Sequence, residues 1–269
     1  MNSERGNVLV VGNSQVRTSL LHAYCADDVF RDCEQNWAER RVFRGEFVVE
    51  DGTPFSYVAC NVGLLGNTRL DGNTLTPPRG MLEFIEQTPN NPSAIVVMLR
   101  GNEFALESLV DSVPKWDFSY QGNHAQRGRQ FIPTTDVLNH FSQVTQHILA
   151  VCALYRHVRP NSPVYHVAAP APVESEKHIL DLPGSLGPMF ERYGVRPFAL
   201  RLKMYRAMYD QLAGQLERYG VRTLFTPQEC LTEAGGLRAD YAHGWLHGNQ
   251  RYGRALIAEF KKAGVYAPV

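Results

Sequence analysis

The sequence predicts an α/β fold, a parallel sheet of about five strands with helices on both faces, and three observations predict it. Short unbroken apolar runs recur along the chain, helical periodicity returns between them, and the connections are long enough for crossovers. Val8-Leu9-Val10-Val11 is the first run; it stops at Gly12, and 15–24 then reads as a helix. The second strand is 55–60 and the third the wholly apolar Ala94-Ile95-Val96-Val97-Met98-Leu99, the kind of run that suits a strand buried on both faces. Val137, Phe141, Val144, Ile148, Val151 and Tyr155 step by three and four, which makes 137–155 a long amphipathic helix. A fourth strand, 164–169, is closed by Pro170 and Pro172. The helical period then returns over 198–219, a short fifth strand follows at 223–225, and the last helix covers roughly 250–263. Two stretches carry no such pattern: the charge-rich 27–52, and 119–129, rich in Gly, Gln and Arg and read as a surface loop or lid.

A chain of 269 residues can bury a full core, and 1–269 is read as one domain. Hydrophobic residues at 44% and charged residues at 20% are ordinary globular usage, which excludes disordered and fibrous classes. Lys plus Arg (27) balances Asp plus Glu (27), so no net field favours nucleic acid or an anionic membrane; a small or neutral substrate fits better. The apolar run at 7–12 is too short for a signal peptide, and no stretch is long enough to span a bilayer. Cys25, Cys33, Cys60, Cys152 and Cys230 are scattered and odd in number, with no CxxC pair. Reduced thiols, and hence a cytoplasmic location, are the expectation.

In open parallel sheets ligands bind beyond the carboxyl ends of the strands, so the residues that follow each strand are the candidates. After the first come Gly12-Asn13-Ser14-Gln15, a hydroxyl at a helix start, where amides and dipole favour negative charge; capping the helix is the other reading of this serine. Val16 stands in place of the second glycine of G-x-S-x-G, so the α/β-hydrolase elbow is not supported. After the second strand stands Asn61-Val62-Gly63, where glycine lets a backbone N–H approach a ligand. After the third, Gly101-Asn102-Glu103 offers a side-chain amide, and Asp240 through Gly253, with His243 and His247, leads into the last helix. Each site alone also reads as an ordinary turn or loop.

Taken in order, the four sites resemble the SGNH, or GDSL-like, hydrolase superfamily, whose blocks contribute Ser, Gly, Asn and His. Ser14 in Gly12-Asn13-Ser14 matches the first block with Asn for Asp, Gly63 the second, Asn102 in Gly101-Asn102-Glu103 the third. His247 in His247-x-Asn249-x-x-Tyr252-Gly253 is similar to the histidine block of a bacterial branch, and Tyr165-His166-Val167 leading to Pro170 and Pro172 to another stretch of it. The resemblance implies a three-layer, flavodoxin-like sheet. It also implies a serine esterase acting on a small-molecule or glycan acyl ester, with acetyl or another short acyl group favoured by family frequency, and no metal or cofactor needed. Ser14 would attack, His247 would act as base, and the Ser14 and Gly63 N–H groups with the Asn102 side chain would bind the oxyanion, each donor worth ~3 kcal/mol.

One departure stands out. The family's acid, three residues before its histidine, is Gly244 here, whereas Asp240 stands three before His243 and gives a competing register. Asp240 is therefore the displaced candidate orienter. An acyltransferase on the same site and a catalytically weakened binding protein are the alternatives. A nucleotide-binding fold is disfavoured because neither G-x-G-x-x-G nor a P-loop follows the first strand.

Overall fold

A computed structural model describes residues 7–37, 42–60, 68–72, 74–99, 104 and 107–267. In chain order the first half supplies β1 (Val8–Gly12), a π-helical stretch Val16–Leu21 running on through His22–Tyr24 (together α1), α2 (Asp27–Gln35), β2 (Val42–Val48) and β3 (Pro54–Cys60). A hairpin of β4 (Arg69–Asp71) and β5 (Thr74–Thr76) follows, then α3 (Arg79–Glu86), β6 (Ala94–Met98), β7 (Trp116–Asp117), β8 (Gln130–Phe131) and α4 (Thr134–Val158). The second half supplies β9 (Val164–Val167), α5 (Glu176–Asp181), α6 (Gly187–Tyr193), α7 (Phe198–Glu217) and β10 (Arg222–Leu224). It ends with the hairpin β11 (Ala242–His243) and β12 (His247–Gly248) and with α8 (Gln250–Lys262).

The main sheet has six strands in the order β10-β9-β6-β1-β3-β2. β1 lies inside it, parallel to β3 through Val10 and Tyr57 and to β6 through Val10 and Val96. Every residue of β1 and β6 is buried. Since neighbouring side chains of a strand point to opposite faces, both faces of the sheet are covered. α4 packs against α7, and α1 against α8. All five strands expected from the sequence are present and run parallel to one another.

The sixth strand, β2, was not expected and runs antiparallel to β3. Its connection is too short for a crossover: Gly52 sits at φ +83°, its N–H reaches the Val49 carbonyl at 2.9 Å, and Asp51 Oδ1 accepts from Thr53 Oγ1 at 2.7 Å. A tight turn of this kind joins only antiparallel strands. Phe43 and Phe47 face inward while Arg44 and Val48 are exposed, the alternation of an edge strand with one wet face.

The stretch 119–129 is fastened down on α7. The buried Lys203 ammonium meets Asp117 at 2.7 Å and donates to the Phe118 carbonyl at 2.7 Å. Arg129 makes a bidentate pair with Asp111, both bonds 2.9 Å, and Tyr120 and Gln121 both donate to Asp210 at 3.1 Å. Phe118 is fully buried, 6.5 Å edge-on to Phe141 of α4, with Trp116 and Tyr120 tilted against it. These aromatics pack the loop onto the core. Among the described residues no helix is long and apolar enough to cross a membrane.

Candidate active site

The serine turn is shaped by close packing at the carboxyl end of β1. A Cβ on Gly12 would lie 2.5 Å from the Met98 carbonyl oxygen and 2.6 Å from the Val16 side chain, so only glycine lets β1 end this close to β6. Asn13 then turns the chain, its carbonyl accepting from the Val16 N–H at 3.0 Å, and Ser14 opens the helical path. The first amides of that path have no acceptor within the helix and point toward the space beyond the strand.

The Ser14 hydroxyl does not cap this helix. It faces His247 Nε2 at 2.9 Å, across 233 residues of chain. Behind it the π-helical turn, a form common at functional sites, is secured by Thr18 Oγ1 donating to the Ser14 carbonyl at 2.9 Å and Ser19 Oγ to that of Gln15 at 2.5 Å.

The residues after His247 explain how it arrives there. The Asn249 side chain caps α8, accepting from the Arg251 and Tyr252 N–H groups, while its Nδ2 donates to the Asp240 and Ala242 carbonyls and ties the hairpin to the helix start. A Cβ on Gly248 would fall 2.2 Å from the ring of the buried Tyr252. A Cβ on Gly253 would fall 2.3 Å from the Ser19 carbonyl oxygen, so glycine is what allows α8 to lie against α1. H-x-N-x-x-Y-G is thus a docking device: three of its residues hold the fourth, His247, at the serine. The other side of the hairpin is held by His178 Nε2 against the Gly244 carbonyl (3.1 Å), Trp245 Nε1 donating to the Pro183 carbonyl (3.1 Å) and Gln15 Nε2 donating to the Leu246 carbonyl (3.5 Å).

His243 is the cross-strand partner of His247 in that hairpin and is exposed. Asp240 reaches neither histidine: its carboxylate is taken by Arg238 (3.1 Å) and Arg251 (2.9 Å). Gly244, where the acid of the resemblance would stand, is a turn residue at φ +62°. Burial first, then the charges of His243 and Arg17, draw the His247 pKa down from 6.5 to about 4. No carboxylate of the described residues counters them. Packing on its inner side and Arg17 also lower the His243 pKa, with Glu34 opposing. His166, on β9, is a core histidine: fully buried, stacked on Tyr209, its pKa pushed down to about 3. Gly63 and Asn102 lie outside the described residues. Among the described residues no cluster of three or more His, Cys, Asp or Glu side chains is placed to hold a metal ion.

Sequence reading did not single out Arg17, Gln15 or His178. Their only signal was proximity in sequence to Ser14 for the first two, and for His178 there was none.

No family model and no curated protein matches the chain. Solved structures do, at low identity. The periplasmic domain of a lipopolysaccharide acetyltransferase from Salmonella ser. Paratyphi A aligns over 99% of this chain and 85% of that one, with 10% identity and a TM-score of 0.48. Phospholipase A1 from Streptomyces albidoflavus aligns over 95% and 99%, with 12% identity and a TM-score of 0.44. An extracellular lipase from Streptomyces rimosus aligns over 94% and 99%, with 12% identity and a TM-score of 0.42.

Proposed function

We propose that the chain is a serine esterase or acyltransferase acting on an acyl ester of a small molecule or glycan, with Ser14 as nucleophile and His247 as general base. The observation that carries this reading is the 2.9 Å approach of the Ser14 hydroxyl to His247 Nε2 at the carboxyl end of β1. Ser14 Oγ attacks the ester carbonyl as its proton passes to Nε2. The carbon–oxygen bond to the leaving alcohol then breaks, and His247 returns the proton to that alcohol. Water, or a second alcohol in the transferase case, clears the acyl-serine by the same route in reverse. The Ser14 N–H, with the Gly63 N–H and the Asn102 side chain on the strength of the sequence resemblance, receives the oxyanion.

A fluorophosphonate probe followed by peptide mapping tests this directly. Ser14 is expected to carry the label, and Ser14→Ala to lose both the label and turnover of p-nitrophenyl acetate and butyrate. Turnover that survives unchanged in Ser14→Ala removes the serine from the mechanism.

A second reading, a weakened enzyme kept as a binding protein, is favoured by one observation: Gly244 replaces the acid and Asp240 is engaged by two arginines. A shift from 6.5 to about 4 withdraws ~3 kcal/mol from imidazolium formation, which slows proton abstraction. The pH dependence separates the cases. His247 must be neutral to act as base, and a depressed pKa keeps it neutral down to about 4, so the acid limb of kcat/KM or of the labelling rate is expected near pH 4. A limb at or above 6.5 means that a carboxylate supports the imidazolium, and the unsupported-base picture is then wrong.

A further inference from the structure

Arg17 stands three residues after Ser14, on the same face of the helical path. Its guanidinium lies 4.9 Å over the Trp37 ring, and its Nε is buried with no hydrogen-bond partner. Among the described residues it forms no ion pair. Glu34 is the acid within electrostatic reach of His243, where it opposes Arg17. His22, one turn further, is stacked 4.3 Å from Phe30 and likewise has a buried Nδ1 without a partner. Arg17 lies within electrostatic reach of both His247 and His243, and His22 within reach of His243.

Arg17 thus combines a buried, unpartnered Nε with the lack of any ion pair among the described residues. Buried arginine donors are ordinarily satisfied by carboxylates or carbonyls, as Arg201 is here by the Arg196 and Val173 carbonyls. Contact with the Trp37 face restrains the Arg17 side chain without drawing on its N–H donors, which favours bidentate binding of a planar or tetrahedral oxyanion.

We propose that Arg17, flanked by His22 and His243, is a subsite for an anionic group, a carboxylate or phosphate carried by the ester itself, and that it selects acidic over neutral esters. The inference rests on the reading of Ser14 and His247 as the reacting pair, because it places the anion a short distance from the scissile carbonyl.

Mono(4-nitrophenyl) succinate and 4-nitrophenyl butyrate share a leaving group and nearly the same acyl chain; they differ in a terminal carboxylate. The succinate-to-butyrate ratio of kcat/KM is expected to fall about 10- to 100-fold in Arg17→Gln, with KM taking most of the change. Arg17→Lys, which keeps the charge and loses the fork, should recover part of it, and raising the salt concentration should lower the wild-type ratio. A second measurement needs no catalysis: calorimetric titration of Ser14→Ala with sodium succinate and with inorganic phosphate, repeated in Ser14→Ala/Arg17→Gln. Arg17-dependent binding of either anion supports the subsite even if the fluorophosphonate probe leaves Ser14 unlabelled, so the two readings fail separately. The tighter anion identifies the substrate's charged group. An unchanged ratio in a folded Arg17→Gln, or no Arg17-dependent binding of either anion, overturns the proposal. Should Arg17→Gln lose its cooperative melting transition, a salt-insensitive wild-type ratio does the same.

Discussion

Replacing His247 by alanine is expected to lower the rate of fluorophosphonate labelling, and of p-nitrophenyl ester turnover, by about 10³-fold, while His243→Ala lowers it by no more than a few-fold. The two histidines face each other across the same short hairpin, yet only one of them reaches Ser14, with Nε2 at 2.9 Å. Loss of the nearer ring removes the only proton acceptor that the described residues place at the serine. Loss of the farther one removes a positive charge that holds the His247 pKa down, so the acid limb of the His243→Ala profile should move upward from about 4 toward 6.5. Equal losses from the two variants, or a larger one from His243→Ala, would transfer the base to the register with Asp240, in conflict with the arginine pairing of that carboxylate.

The interior of the sheet was legible because burial on both faces leaves an unbroken apolar signal. Val8 to Val11 and Ala94 to Met98 need no context to be read as strands, and all of their side chains are in the core. β2 was illegible for the opposite reason. It is an edge strand with one wet face, and Arg44 and Glu46 between Phe43 and Phe47 present as a charged stretch unless a period of two is sought. α2 was hidden in the same way, since Cys33 is its one buried residue. Ser14 and His247 were legible only jointly. Each alone is an ordinary turn residue, and the information that unites them is three-dimensional: α8 docks on α1 through Gly253, which carries His247 to the serine. Arg17 was beyond reach because nothing in a sequence tells a solvated arginine from one that lies over a tryptophan with its Nε buried and unpartnered. The same holds for Asp240, whose spacing from His243 suggested support for a base and whose side chain instead bridges Arg238 and Arg251.

Gly253→Ala should show how far the site depends on that docking. The added methyl group meets a backbone carbonyl, Ser19 O at 2.3 Å, and not the tip of a side chain that can swing aside. α8 must therefore move off α1, at a cost of ~3 kcal/mol, which corresponds to a fall in Tm of roughly 6–10 °C for a chain of this size. Because His247 enters from the first turn before α8, the same displacement breaks its hydrogen bond to Ser14, and labelling should slow by about 10²-fold in the population that remains folded. Gly214→Ala is the matched control. Gly214 lies within α7, is exposed, and a Cβ there meets nothing within 4 Å. Alanine at that place restricts the unfolded chain without strain and should raise stability by ~0.5–1 kcal/mol while leaving labelling unchanged. Opposite signs for the same chemical change would tie the loss at Gly253 to the helix contact and not to alanine as such. A Gly253→Ala protein that melts and labels like the wild type would mean that His247 is seated by the Asn249 cap and the hairpin bonds alone.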